Sequence, residues 1–172
     1  MPSRRQLLKT GALGAAALLL AGYWATPQAD PLAQPGGAAT LWLQPQDAAI
    51  IRALAPVMLG LDGLPLEQVA AGVDRAVLGL PPALRQEVRQ LFDLLQNRWA
   101  RRWLAGIGSP WASAAPHELE RFLRRWRNSR FQLKRSVYQA LHQLINAAWY
   151  GNPASWAALG YRLPEGVAGM LP

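Results

Sequence analysis

The chain has 172 residues, of which 51% are hydrophobic and 16% are charged, which is typical of one compact domain with a tail and excludes a disordered protein. It contains no cysteine, which excludes disulfide bonds, thiolate metal sites, iron–sulfur clusters and a cysteine nucleophile. The formal net charge is +8, and the two histidines are too few for a histidine-rich metal cage.

The first residues have the pattern of an export signal. Met1 to Lys9 are basic and Thr10 to Ala25 are apolar, which is the order of a secretory leader. The apolar run has 16 residues, fewer than the roughly 20 that span a bilayer. A paired arginine, followed by two leucines and a lysine, resembles the twin-arginine signal, which a receptor reads as an address. The residues of this signal are Ser3, Arg4, Arg5, Leu7, Leu8 and Lys9.

We therefore predict that residues 1–29 are a twin-arginine leader and that the protein is periplasmic. An ordinary secretory leader and an uncleaved anchor are the alternatives. The uncleaved anchor is kept because Pro27 occupies a position where a cleavage site usually has a small residue. A retained leader would associate the protein with the membrane. A spacer rich in proline and glycine follows at residues 30–40, and we predict a helical domain over residues 41–172.

The domain has apolar residues at spacings of three and four, which predicts helices. No stretch shows sustained alternation of β-branched residues, so we expect an all-α bundle of five or six helices without a sheet. Prolines begin most of these helices and glycines end them. The predicted helices run from Pro45 to Gly60, from Pro65 to Gly79, from Pro81 past Trp99 and Trp103 to Gly106, from Pro116 to Trp126, from Phe131 to Gly151 and from Pro153 to Leu159.

The residues that carry chemistry form no recognisable active site. The glycine pair within residues 106–108 lacks the third glycine of a dinucleotide-binding fingerprint. His117 and His142 fall on different predicted helices, so we expect structural or surface roles for them. Glu118 and Glu120 point away from each other on a helix. We therefore predict that the chain is not an enzyme and that it holds no cofactor and no metal.

The predicted leader and the lack of a cofactor site together indicate an escort. The twin-arginine route exports folded proteins, and most of its passengers fold first because they take up a cofactor in the cytoplasm. A chain with such a leader and no cofactor site is most simply the carrier of a partner that has a cofactor and no leader.

Basic residues are concentrated between Arg85 and Arg135, a segment that contains 12 bases and four acids. We consider three interpretations: a solvated face, a docking surface for an acidic partner, and a surface for anionic lipid. We expect no nucleic-acid partner, because an exported protein meets little nucleic acid. Spacings of three and four place Arg98, Arg101 and Arg102 on one helical stripe and Arg121, Arg124 and Arg125 on another.

The domain also has seven tryptophans, more than one small core comfortably hides. We expect Trp42, beside the spacer, and Trp111, in a loop with glycine and proline, to be the most exposed. Tryptophan and arginine dominate the energetics of protein interfaces, so we predict that some of these residues contact a partner. The candidate interface comprises Trp42, Trp111, Trp149, Trp156 and Tyr161, together with the six arginines named above.

The block from Trp149 to Tyr161 contains a Gly-Asn-Pro turn at residues 151–153 and then Trp156. It resembles the ending of the gluconate 2-dehydrogenase subunit 3 family, the small (gamma) subunits of periplasmic flavin sugar and alcohol dehydrogenases. The resemblance extends to the leader and to the helix after the spacer. The family ending usually continues tyrosine-proline-glycine-proline, whereas residues 161–164 here are Tyr-Arg-Leu-Pro.

The resemblance implies a non-catalytic accessory subunit. In that family the small chain helps to fold and export a large dehydrogenase subunit of the glucose–methanol–choline type, which binds FAD. A cytochrome c subunit often completes the complex. The alternative from a different class is a stand-alone exported protein whose basic face binds anionic membrane or an acidic partner.

Overall fold

The computed structural model describes residues 40–158, which form six α-helices and no strand. The predicted all-α architecture is thus confirmed. The export signal, most of the spacer and residues 159–172, which include Tyr161, lie outside the described residues. The helices are α1 (Pro45–Leu59), α2 (Leu66–Leu78), α3 (Pro82–Gln96), α4 (Pro116–Arg127), α5 (Gln132–Tyr150) and α6 (Pro153–Ala158).

Proline and glycine mark the helix boundaries largely as the sequence predicts. Pro45, Pro82 and Pro116 occupy the first turns of α1, α3 and α4, where a backbone N–H has no partner inside the helix. Gly60 ends α1 at a φ of 64°, in the left-handed region that glycine adopts without strain.

Helices α2 and α5 pack closely at the centre of the bundle. At their crossing, a Cβ atom on Gly72 would lie 2.9 Å from the Cβ of Ala148 and 3.0 Å from its carbonyl oxygen. Glycine therefore sets how near these two helices approach. Helix α1 packs on both of them and on α4, and the core between them includes the fully buried Ile50, Leu54 and Ile145.

The prediction that the third helix continues to Gly106 is wrong, because the helix ends at Gln96 and the chain changes direction at Asn97. This residue has extended backbone, and its side-chain oxygen accepts the N–H groups of Trp99 and Ala100 at 3.0 and 3.1 Å, as an N-cap does. A short helix, Arg98–Ala100, continues into a π-helical turn, Arg101–Ala105. The new direction takes Trp99 away from the core face of α3.

Candidate partner-binding surface

Trp111, predicted to be exposed, is buried, with 4% of its surface accessible. A short 3₁₀ turn, Trp111–Ser113, directs the ring inward, where its centroid lies 5.9 Å from that of Phe122. The indole Nε1–H donates to the carbonyl oxygen of Leu95 at 2.9 Å, so even the polar atom of this side chain is satisfied inside. Trp111 is therefore part of the core and is removed from the candidate interface.

The other predicted interface indoles are also largely covered. Trp42 is partly buried against Phe92 and the guanidinium of Arg89, which lies 4.9 Å from the centre of its ring. Trp149 is buried, and Trp156 is partly buried with its Nε1–H donating to the carbonyl oxygen of Tyr150 at 2.8 Å. These three rings therefore mainly pack within the domain and leave little indole surface for a partner.

Two other indoles are the exposed ones. Trp99 is 59% exposed and Trp103 is 75% exposed, on the short helix and the π-helical turn. The periodicity of the sequence predicts both on the buried face of a long helix. The signal against that prediction is Asn97, whose type is strongly preferred as an N-cap and disfavoured inside a helix.

The arginines around these indoles do not form the predicted stripe. Arg98 and Arg102 are exposed, but Arg101 between them is buried, because the π-helical turn changes the angle between successive residues. Arg101 is therefore excluded from the exposed interface. Only the outer two arginines of this trio accompany Trp99 and Trp103 at the surface.

Helix α4 is tied to this segment by two hydrogen bonds. The guanidinium of Arg125 donates to the carbonyl oxygen of Ala105, and the Nε1–H of Trp126 donates to that of Leu104 at 3.1 Å. Arg121, one helical turn before Arg125, and Arg124 are exposed on the same half of α4. We define the basic aromatic surface as Arg98, Trp99, Arg102, Trp103, Arg121, Arg124 and Arg125.

The basic aromatic surface has little negative charge nearby in sequence. Residues 97–113 and 121–135 contain no aspartate or glutamate. Helix α4 has two acids. Glu118 lies in the first turn and accepts hydrogen bonds from Ser109 Oγ and the Ala115 N–H at 3.3 and 3.4 Å. Glu120 is exposed directly before Arg121, so one carboxylate borders the arginines of the surface. The local potential of this surface is therefore positive, which attracts anionic groups from outside the chain.

Both histidines lie at the surface of the domain. His117 is exposed at the start of α4, and His142 is exposed on α5 with its ring stacked 5.8 Å from that of Tyr138. Among residues 40–158, no group of three histidine, aspartate or glutamate side chains is placed to hold a metal ion. Over the same range, no helix is long and apolar enough to cross a bilayer.

The structure contains a buried carboxylate that the sequence did not indicate. Asp47 in α1 is fully buried, and its two oxygens accept the Nη atoms of Arg89 at 2.7 and 2.6 Å. They also accept the Gln44 N–H at 2.8 Å and the side-chain amide of Gln96. Its lone pairs are occupied by these donors, so Asp47 joins α1 to α3 and is not available as a general base.

A second buried carboxylate holds the start of the domain. Asp74 in α2 accepts the backbone N–H groups of Leu41, Trp42 and Leu43 at 3.0, 2.9 and 2.7 Å. Three charge-assisted bonds to one carboxylate fix the segment that follows the spacer. Asp74 thus has a structural role and fixes the point where the domain begins.

Comparison of this chain with family models, with curated proteins and with solved structures finds no match.

Proposed function

We propose that this protein is a non-catalytic accessory subunit that binds an acidic face of a partner protein through the basic aromatic surface. The observation that carries the proposal is the exposure of Trp99 and Trp103 among arginines, in a domain that buries Trp111, Trp126 and Trp149. Tryptophan and arginine are enriched among the residues that contribute most to binding at protein interfaces.

The chemistry of the arginines supports a carboxylate-rich partner. A guanidinium can donate two parallel hydrogen bonds to one carboxylate, and it can also stack on an aromatic ring. Arg98 and Arg102 each directly precede one of the two indoles in sequence and are exposed. An acidic partner would neutralise them while the indoles lose contact with water, so charge and apolar burial favour the same contact.

The predicted leader and the family resemblance suggest which partner this is. We propose the large FAD-dependent dehydrogenase subunit of the glucose–methanol–choline type, with a cytochrome c subunit as a third member of the complex. If the subunit binds the folded partner and not its unfolded form, binding lowers the population of partly unfolded partner by mass action. A stable contact of this kind buries about 1,600 Å² in total.

The docking part of the proposal is tested by co-expressing the full chain with a FAD-dependent dehydrogenase subunit encoded beside it in the genome, which the proposal requires. We expect the Trp99→Ala/Trp103→Ala variant to lose most of the co-purifying flavin absorbance, since both indole contacts are gone. Tyr150→Ala is the matched control, because Tyr150 is also an exposed aromatic residue but lies outside the basic aromatic surface. Undiminished flavin recovery with the double variant would contradict the proposal.

The export part is tested separately in the leader. Replacing Arg4 and Arg5 with lysine keeps the charge and removes the paired arginine that the receptor reads. We expect dehydrogenase activity to disappear from the periplasm and to remain in the cytoplasm. Unchanged periplasmic activity would contradict an escort role even if the two chains bind each other.

The same exposed residue types also suit an anionic membrane surface, where tryptophan lies at the headgroup level and arginine binds phosphate. A vesicle sedimentation assay separates this second function from the first. If the purified chain binds anionic vesicles in a salt-sensitive manner and no flavoprotein co-purifies with it, the membrane function replaces the escort function.

A further inference from the structure

An apolar groove of about 710 Å³ lies between α3 and α5. Within the described part of the chain, α5 packs mainly on α2 and makes no comparable contact with α3, so the groove lies where a further helix of the bundle would fit. Leu84 and Leu133, on opposite walls, are 44% and 48% exposed. The apolar lining consists of Ala76, Leu80, Leu84, Val88, Leu91, Leu94, Leu133, Val137, Ala140, Leu144 and Ala147.

The dimensions of the groove match a helical occupant. Its α5 wall runs from Leu133 to Ala147, which is about 21 Å of helix at about 1.5 Å per residue. An amphipathic helix of about four turns would cover this wall. Insertion of such a helix between two walls of leucine and valine is a common mode of peptide recognition.

Two bases, Arg130 and Lys134, flank the end of the groove wall at the start of α5, without lining the groove themselves. At the start of α5, the guanidinium of Arg130 and the ammonium of Lys134 lie 4.9 and 5.7 Å from the centre of the Phe131 ring. Leu133, in the same first turn, belongs to the groove wall. The lining itself has one charged residue, Glu87 on α3. The charges therefore favour an occupant that has carboxylates where it meets the first turn of α5. They disfavour an occupant with acidic residues beside Glu87.

We propose that the groove between α3 and α5 binds an amphipathic helix of a partner protein, with an apolar face along the groove and acidic residues at the end that meets Arg130 and Lys134. The groove and the basic aromatic surface have no residue in common, so this proposal does not depend on the one above. It assigns a second docking site to the domain.

The charges and composition of the chain disfavour its own terminal segments as occupants. The apolar run Thr10 to Ala25 is preceded by Arg4, Arg5 and Lys9 and contains no carboxylate that could pair with Arg130 and Lys134. Residues 159–172 contain three glycines and two prolines, which disfavour a helix. A second copy as the occupant would give a concentration-dependent dimer, which the experiment below distinguishes from a partner helix.

The probe is a labelled 16-residue helical peptide of leucine, alanine and glutamine with three glutamates at one end. Its binding to the full chain is measured by fluorescence anisotropy against a peptide with three lysines at that end. We expect the lysine peptide to bind at least about tenfold more weakly, since like charges replace opposite ones. Replacing Arg130 and Lys134 with glutamate should reverse this preference.

Groove variants locate the site. Leu84→Asp and Leu133→Asp should each weaken binding of the glutamate peptide about tenfold or more, because a charge enters the apolar contact. Leu41→Asp is the control, since Leu41 is 86% exposed and lies outside the groove. Equal thermal stability of the three variants would show that folding is intact.

Three outcomes would overturn the proposal. They are equal affinity for the two peptides, insensitivity to both groove variants, and a concentration-dependent dimer that Leu84→Asp dissolves. The Trp99→Ala/Trp103→Ala variant should bind the peptide normally. Loss of flavin recovery and loss of peptide binding are therefore separate results.

Discussion

The guanidinium of Arg89 meets both carboxylate oxygens of Asp47, which lies 42 positions earlier in the chain. Partial burial lowers the pKa of Arg89, but the hydrogen bonds and charge of Asp47, assisted by Asp93, outweigh this and raise the pKa above its ordinary value. The charged form of Arg89 therefore stabilises the fold at neutral pH, and this contribution is lost only in strong base. The pair joins α1 to α3 beneath the ring of Trp42.

We expect Asp47→Asn to lower the free energy of unfolding by about 3 kcal/mol, because it leaves Arg89 without its buried partner. Urea denaturation followed by circular dichroism measures the change. Asp93→Asn is the control: Asp93 also binds Arg89, at 3.0 Å, but its side chain is mostly exposed, so we expect a change within about 0.5 kcal/mol. Similar losses from the two variants would contradict this assignment.

We expect Asp74→Asn to release the first residues of the domain. The asparagine amide has one acceptor oxygen where the carboxylate has two, and its NH2 group would face backbone N–H donors. We therefore expect the free energy of unfolding to fall by about 2 kcal/mol. Limited proteolysis with mass spectrometry should show faster cleavage near residues 41–43. The exposed Asp62→Asn should leave the cleavage rate unchanged, and equal rates in both variants would show that Asp74 does not hold this segment.

We expect Gly72→Ala to destabilise the bundle by about 1–3 kcal/mol, because its new methyl group meets Ala148 at 2.9 Å. Adding Ala148→Gly should restore part of the loss, since the methyl contact disappears while the carbonyl contact at 3.0 Å remains. Gly108→Ala is the matched control, because nothing lies within 4 Å of its added Cβ. Thermal unfolding of these variants and of the parent chain measures the changes. An unchanged melting temperature in Gly72→Ala, or no recovery when Ala148→Gly is added, would contradict the prediction.

The two groups of tryptophans should behave in opposite ways. Trp111→Ala removes a buried ring with a satisfied N–H and should cost about 3–5 kcal/mol of unfolding free energy. Trp103→Ala should change stability by less than about 0.5 kcal/mol, because its ring is exposed. Denaturant titration measures both, and a large loss with Trp103→Ala would mean that its ring packs on the domain.

Most of the fold could be predicted from the sequence because its signals are local. Pro45, Gly60 and Pro116 act on their own turns, whatever the rest of the chain does. The break at Asn97 escapes prediction because the apolar spacing from Leu95 to Trp99 continues across it. One capping side chain decides the direction there, against the periodicity of the neighbouring residues.

The candidate site was harder to predict, because burial depends on distant parts of the chain. Trp111 lies in a loop whose composition favours exposure, but its indole N–H finds an acceptor at Leu95, 16 positions away. Asp74 binds N–H groups more than 30 positions earlier. No local pattern marks such partners, so the exposed indoles had to be identified from the folded chain.

The π-helical turn Arg101–Ala105 makes the orientation of Trp103 depend on chain length as well as on residue type. Removing one residue between Trp99 and Trp103 would bring the two rings one position closer, and one position corresponds to about 100° around an α-helix axis. A relative with the same arginines and indoles but a turn shorter by one residue would therefore aim this ring elsewhere. A single-codon deletion would thus redirect Trp103 while every other arginine and indole of the basic aromatic surface keeps its place in the sequence.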